Sequence, residues 1–192
     1  GPLGQEQLDI VKPVFHAPAN YSDKLKIAAK VAEMEEDWRK DAALSALTGR
    51  VLCIGFLRDT VEFIYADDER TMLAAFWDEW NKGERMIGFA CKHFDAKFAY
   101  QRSILLRVPV PKDLFSGRYW NPRLLDVQEM FSCFTRDIKG LSLDAVCKAA
   151  NIGGKSGNGE FFSELWVNDR EAALSYLGRD LECSSAGNRS LT

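Results

Sequence analysis

At 192 residues, and with a typical domain near 150 residues, the chain has room for one large domain or a small domain with an appendage. Hydrophobic residues at 46% and charged residues at 28% exclude disordered, collagen-like and disulfide-scaffold classes. A net charge of -3 argues against a protein that grips long duplex by neutralising many phosphates, so any nucleic-acid contact is expected to be local.

The chain opens with Gly1 to Gln7, which reads as a flexible leader; Gly1-Pro2-Leu3-Gly4 is either an expression scar or native sequence. The remainder, residues 8–192, is expected to form one domain. From Ser22 to Lys40 the apolar positions Ile27, Val31, Met34 and Trp38 fall at spacings of four, three and four, the stripe of an amphipathic helix. Thr48-Gly49 ends that pattern. Arg50 to Leu57 and Thr60 to Tyr65 are short runs rich in β-branched and aromatic residues on either side of Arg58-Asp59, and predict a β-hairpin.

Asp67 and Asp68 suit the start of a helix, where exposed backbone N–H groups want an oxygen acceptor. Leu73, Phe76, Trp77 and Trp80 then supply its apolar stripe, with the tryptophans assigned to the core. Arg85 to Ala90 reads as a strand, and a helix is expected from near Asp95 to Leu106. Residues 107–122 contain three prolines and read as a loop. Leu124 to Val127 is a short strand or a helix start, Ser142 to Asn151 a helix, and Asn168 with Glu171 a capping box that opens the last helix through Tyr176 and Asp180. This order predicts a mixed α/β fold, a sheet covered by helices.

Several chemistries drop out early. Cys53, Cys91, Cys133, Cys147 and Cys183 are scattered, without a C-x-x-C pair, which suits reduced thiols in a cytoplasmic setting and indicates no zinc site. No apolar run approaches the roughly 20 residues of a membrane span, so no membrane partner is expected. Gly154-Lys155-Ser156 matches the end of a phosphate-binding loop, but the leading glycine position is Ala149 and the segment follows a helix. His16 and His93 are too far apart for a paired-histidine metal site, and there is no Gly-x-Ser-x-Gly nucleophile elbow. Carboxylate chemistry remains.

Asp95 stands at a strand-to-helix junction within Gly88-Phe89-Ala90-Cys91-Lys92-His93-Phe94-Asp95, where a lone aspartate is most often a cap. Tyr176 and Asp180 are four residues apart and share one helix face. Taken together these segments resemble the second and third motifs of the DEDD-type 3′-to-5′ exonucleases of the tyrosine subclass, which include the proofreading domains of DNA polymerases. Gly88, Phe89, Phe94 and Asp95 match Gly-φ-Asn-x-x-x-Phe-Asp, and Tyr176-Leu177-Gly178-Arg179-Asp180 matches Tyr-x-x-x-Asp. The likeness extends over about residues 8–183, including Ala43 to Gly55, Phe76-Trp77, Leu141 to Asp144 and Glu164-Leu165-Trp166.

The resemblance implies a ribonuclease-H-like fold and hydrolysis of phosphodiester bonds from the 3′ end of single-stranded nucleic acid, with DNA as the expected substrate. It implies two divalent cations, Mg or Mn, about 4 Å apart. Asp95 and Asp180 would be metal ligands, and Tyr176 would orient the attacking water. Lys92, His93 and Phe94 would contact substrate, and Lys97 and Arg102 are further candidates for phosphate. Two departures accompany it. Ala90 stands at the asparagine position of the second motif, and the Asp-x-Glu of the first motif has no counterpart: Asp9-Ile10-Val11 lacks the glutamate, and Asp67-Asp68-Glu69 opens a helix. The expectation is therefore an exonuclease whose opening strand is missing from this chain, truncated or naturally inactive. The alternative is a nucleic-acid-binding or scaffold module that keeps the fold without turnover.

Overall fold

The structure is a computed structural model that describes residues 1–83, 85–135, 140–151 and 159–189. Its contacts divide the chain into two units, Gly1–Arg50 and Val51–Thr192.

The first unit is helical. Helix α1 (Gln5–Val11) is followed by α2 (Lys24–Lys40), whose N-terminus is capped by Asp23 accepting the Leu25 N–H at 2.8 Å. The predicted stripe of Ile27, Val31, Met34 and Trp38 is the half-buried face of α2, and Phe15 meets Trp38 edge-on at 6.2 Å. Residues 1–7, expected as a flexible leader, are tied down. Gly1 and Arg50 exchange two hydrogen bonds of 2.9 and 2.7 Å, and the Leu3 N–H donates to the Thr48 carbonyl at 2.8 Å. That pairing uses backbone groups only, so no side-chain pattern announces it.

The second unit is mixed α/β. Strands β1 (Ile54–Leu57) and β2 (Val61–Ile64) form the predicted antiparallel hairpin, in a register that sets Leu57 opposite Val61. Helix α3 (Glu69–Lys82) begins at Asp68, which accepts from the Arg70 N–H and the Thr71 hydroxyl. Those two bonds hold the Asp68 carboxyl below its usual range. Strand β3 (Met86–Gly88) leads into α4 (Asp95–Leu106), and the chain returns as β4 (Leu124–Asp126) parallel to β3. A parallel return requires a crossover of this kind, because two strands running the same way cannot be joined by a tight turn.

The proline-rich stretch expected to be a loop contains a small antiparallel ladder, Phe115–Ser116 against Tyr119–Trp120, turned at Gly117 with φ +61°. Glycine supplies that left-handed turn position without steric cost. Helices α5 (Val127–Phe131), α6 (Leu143–Ala149), α7 (Phe162–Asn168) and α8 (Arg170–Arg189) complete the described chain. The last helix is capped one residue later than predicted. Asp169 accepts the Ala172 N–H at 3.0 Å, while Asn168 closes the helix before it. The strands form three separate pairs among the described residues.

The core lies between α3, α4 and β4. Leu73, Trp77, Trp80, Ala96, Ala99, Leu114 and Leu124 pack together there, with Cys91 and Val108. Both tryptophans are in the core as predicted, and each indole N–H finds an acceptor: Ser103 Oγ for Trp77 at 2.8 Å and Asp113 Oδ1 for Trp80 at 3.2 Å. Satisfied N–H groups let such large side chains be buried without an orphaned donor. Helix α8 packs against the hairpin. A Cβ at Gly55 would come within 2.7 Å of Leu181 and 3.1 Å of Leu177, so the absence of a side chain permits that approach. Among the described residues no helix is long and apolar enough to cross a membrane.

Candidate active site

The turn that delivers Asp95 is built from backbone. After β3 the chain folds back so tightly that a Cβ on Gly88 would meet the Cys91 Cβ at 2.7 Å. The Ala90 carbonyl accepts the N–H groups of His93 and Phe94 at 3.1 and 3.0 Å, and the Cys91 carbonyl accepts that of Ala96 at 2.8 Å. Phe94 occupies the N-cap position without a side-chain cap. Asp95 is thus the first residue of α4 rather than its cap, and its side chain is exposed. A carboxylate in the first turn gains from the positive end of the helix dipole.

One residue that sequence reasoning passed over organises this turn. Asp126, at the end of β4, is 1% exposed. Its Oδ1 accepts the N–H groups of Ala90 at 2.9 Å and Gln128 at 3.0 Å, and its Oδ2 accepts that of Lys92 at 3.0 Å. A single carboxylate therefore caps α5 and holds the 90–92 backbone that precedes Asp95. The capping role had a local signal, since Asp126 sits where a strand gives way to a helix. The bonds to residues 90 and 92 had none, because their donors are main-chain groups far away in sequence.

Ala90 itself has φ +54°. This is the left-handed region, which costs an L-residue roughly 1–2 kcal/mol and which asparagine and glycine tolerate best. The resemblance puts asparagine at this position, so the backbone offers a conformational reason for it alongside any contact with substrate. Ala90→Gly is expected to raise stability by about 0.5–1 kcal/mol, the relief being offset in part by the flexibility glycine adds to the unfolded chain. Ala90→Asn should stabilise as well, by a smaller amount. Thermal unfolding of both variants checks this; a lower midpoint for the pair would show that the turn does not carry that strain.

The residues next to Asp95 have partners of their own. Lys92 Nζ pairs with Glu129 Oε2 at 2.8 Å, and His93 Nε2 lies 3.5 Å from Glu129 Oε1. Glu129 was not among the residues singled out from the sequence. His93 and Phe94 are exposed, with Phe94 tilted against Phe98 at 5.9 Å between ring centres, and Lys97 is exposed as well. Arg102 departs from its expected role. Its side chain is 6% exposed and forms a bidentate pair with Glu69, so it faces the interior and not a phosphate.

Tyr176 and Asp180 stand one turn apart on α8, the phenol buried and the carboxylate half-buried. Phe162 of α7 lies 6.1 Å from the Tyr176 ring, centre to centre. Helix α8 packs against β1, β2, β3 and α5, so the element bearing Tyr176 and Asp180 touches the strand from which the chain leads to Asp95. The thiols nearby are held protonated. Burial, reinforced by the charges of Asp126 and Asp95, pushes Cys91 up to about 12, and burial beside Cys183 pushes Cys147 up to about 11. Neither serves as a nucleophile at neutral pH.

Asp95 and Asp180 have the hard oxygen donors that Mg or Mn prefers. Among the described residues, however, no three His, Cys, Asp or Glu side chains are gathered so as to hold a metal ion. The carboxylates present do not fit a two-cation centre by themselves. The Gly154-Lys155-Ser156 segment lies outside the described residues. Comparison with protein-family models, with curated proteins and with solved structures gives no match.

Proposed function

We propose that this chain carries the second and third motifs of a metal-dependent 3′-to-5′ exonuclease, with a ribonuclease-H-like architecture, acting on single-stranded nucleic acid and DNA in particular. The observation that carries the reading is the Gly88-to-Asp95 turn. The turn supports the letters of the motif with a conformation of its own: glycine where a Cβ would clash, a left-handed residue at the asparagine position, and an aspartate opening α4. The spacing of Tyr176 and Asp180 on a helix packed against β3 supports it further. An antiparallel hairpin followed by a parallel pair with a helical crossover supports the architecture.

In this reading Asp95 and Asp180 provide negative charge, Tyr176 orients a water molecule through its hydroxyl, and the exposed His93 and Phe94 meet the terminal nucleotide. The requirement for Mg or Mn comes from the resemblance, and the further carboxylates it demands correspond to the Asp-x-Glu that this chain lacks. That shortage favours a second reading, a nucleic-acid-binding or scaffold module without turnover.

A 5′-labelled single-stranded oligonucleotide incubated with Mn²⁺ and a form of the chain that is extended by an Asp-x-Glu opening strand separates the two. Progressive shortening from the 3′ end is expected, with Asp180→Asn lowering the rate about a hundredfold and Tyr176→Phe about tenfold. Unchanged turnover in Asp180→Asn rules the exonuclease out. No shortening by that extended, folded form hands the conclusion to the binding module.

A further inference from the structure

A run of aromatic rings leads outward from Tyr176. Phe162 lies 6.1 Å from it, Trp166 is stacked 6.0 Å from Phe162 at an interplanar angle of 27°, and Tyr65 meets Trp166 edge-on at 5.8 Å. Tyr65 comes from the end of the hairpin and is 48% exposed, while Phe162 and Trp166 belong to α7 and are half-buried. The run therefore begins at the buried phenol and ends at solvent.

Arg170 covers its outer end. The guanidinium carbon is 4.9 Å from the centre of the Trp166 ring and 6.0 Å from that of Tyr65. Arg170 is exposed and forms no ion pair with any described residue. The neighbouring carboxylate, Asp169, is committed to capping α8 through the Ala172 N–H. An exposed guanidinium set over an indole ring, with no carboxylate paired to it among the described residues, presents a planar cation. Unpaired nucleobases stack on such planes, and the same charge attracts the phosphates that accompany them.

We infer that Tyr65, Trp166 and Arg170 form a base-stacking platform for single-stranded nucleic acid, leading its 3′ end toward Tyr176. The occupant follows from the combination of aromatic faces, one exposed planar cation with no ion pair among the described residues, and continuity with the Tyr-x-x-x-Asp helix. The platform as a binding site stands on its own geometry; only the direction of the strand rests on the exonuclease reading.

The test measures binding to the full chain with EDTA present, so that turnover plays no part. The probes are a fluorescein-labelled dT12 and an abasic strand of the same length and charge. The wild type should bind dT12 roughly tenfold more tightly than the abasic strand. Tyr65→Ala, Trp166→Ala and Arg170→Lys should each weaken dT12 several-fold to tenfold while leaving the abasic strand nearly unaffected. Arg170→Lys is the informative variant, because it keeps the charge and removes the plane. Tyr65 and Arg170 are exposed, so these two variants keep the test valid if Trp166→Ala fails to fold. Equal binding of the two strands, or full dT12 affinity in both Tyr65→Ala and Arg170→Lys, overturns the platform. Binding is read with turnover suppressed, so loss of the exonuclease reading in the turnover assay would leave this result standing.

Discussion

Asp126→Ala is expected to destabilise the chain by about 3–5 kcal/mol, the range of the severest single substitutions. The carboxylate accepts three main-chain N–H groups in a site only 1% exposed. A hydrogen bond to a charged group contributes about 1.5–3 kcal/mol, and a buried donor left without an acceptor costs about 1–3 kcal/mol. These contributions share one carboxylate and one turn, so they do not simply add. Alanine strips all three donors of their acceptor at once. Asp126→Asn keeps the shape and one oxygen but sets an amide N–H against one of the donors, and should cost less, about 2 kcal/mol. Urea unfolding gives both numbers. Amide hydrogen exchange at Ala90, Lys92 and Gln128 should speed up ahead of the rest of the unit. An Asp126→Ala variant within 1 kcal/mol of wild type would remove the carboxylate from its organising role.

Arg102→Ala should cost a similar amount for a different reason. Arg102 Nε and Nη2 donate to Glu69 Oε1 and Oε2 at 2.9 and 2.7 Å, with side-chain exposures of 6% and 13%. Glu69 Oε1 also accepts the Val51 N–H at 2.9 Å. Withdrawing one member of a buried pair strands the other charge in a poorly solvating site, which costs about 3–5 kcal/mol. Replacing both residues, as in Arg102→Met with Glu69→Met, should recover most of that loss, because the desolvation penalty disappears together with the attraction. The recovery should be incomplete, since the Val51 N–H loses its acceptor. A double variant no more stable than Arg102→Ala would show that packing around the guanidinium, and not the stranded carboxylate, sets the cost.

The features legible in the sequence are those written into side-chain periodicity. Ile27, Val31, Met34 and Trp38 mark α2, Leu73, Trp77 and Trp80 mark α3, and the β-branched runs around Arg58-Asp59 mark the hairpin. In each case the burial pattern follows from the repeat of the element itself. What escaped was decided by main-chain groups or by partners distant in sequence. The pairing of residues 1–3 with 48–50 uses N–H and C=O groups that every residue has. Arg102 carries the same charge whether it faces solvent or Glu69, so its neighbourhood to Lys92 and His93 in the sequence suggested a phosphate role that burial contradicts. At the candidate site, the letters that resemble two motifs were readable. The left-handed backbone at Ala90 and the support from Asp126 were not, because both depend on where β4 lies beside β3.

Strands β3 and β4 share only three residue pairs, Met86 with Leu124, Ile87 with Leu125 and Gly88 with Asp126. So short a ladder is a weak ruler. Sliding one strand by a single residue moves it about 3.3 Å and turns every side chain to the opposite face. The Asp126 carboxylate works as a detent against that slip, since one step in either direction would carry it out of reach of the amides at 90 and 92. Alignment of the two strands and placement of the α4 carboxylate are thereby locked by the same side chain, and an error in one cannot occur without an error in the other.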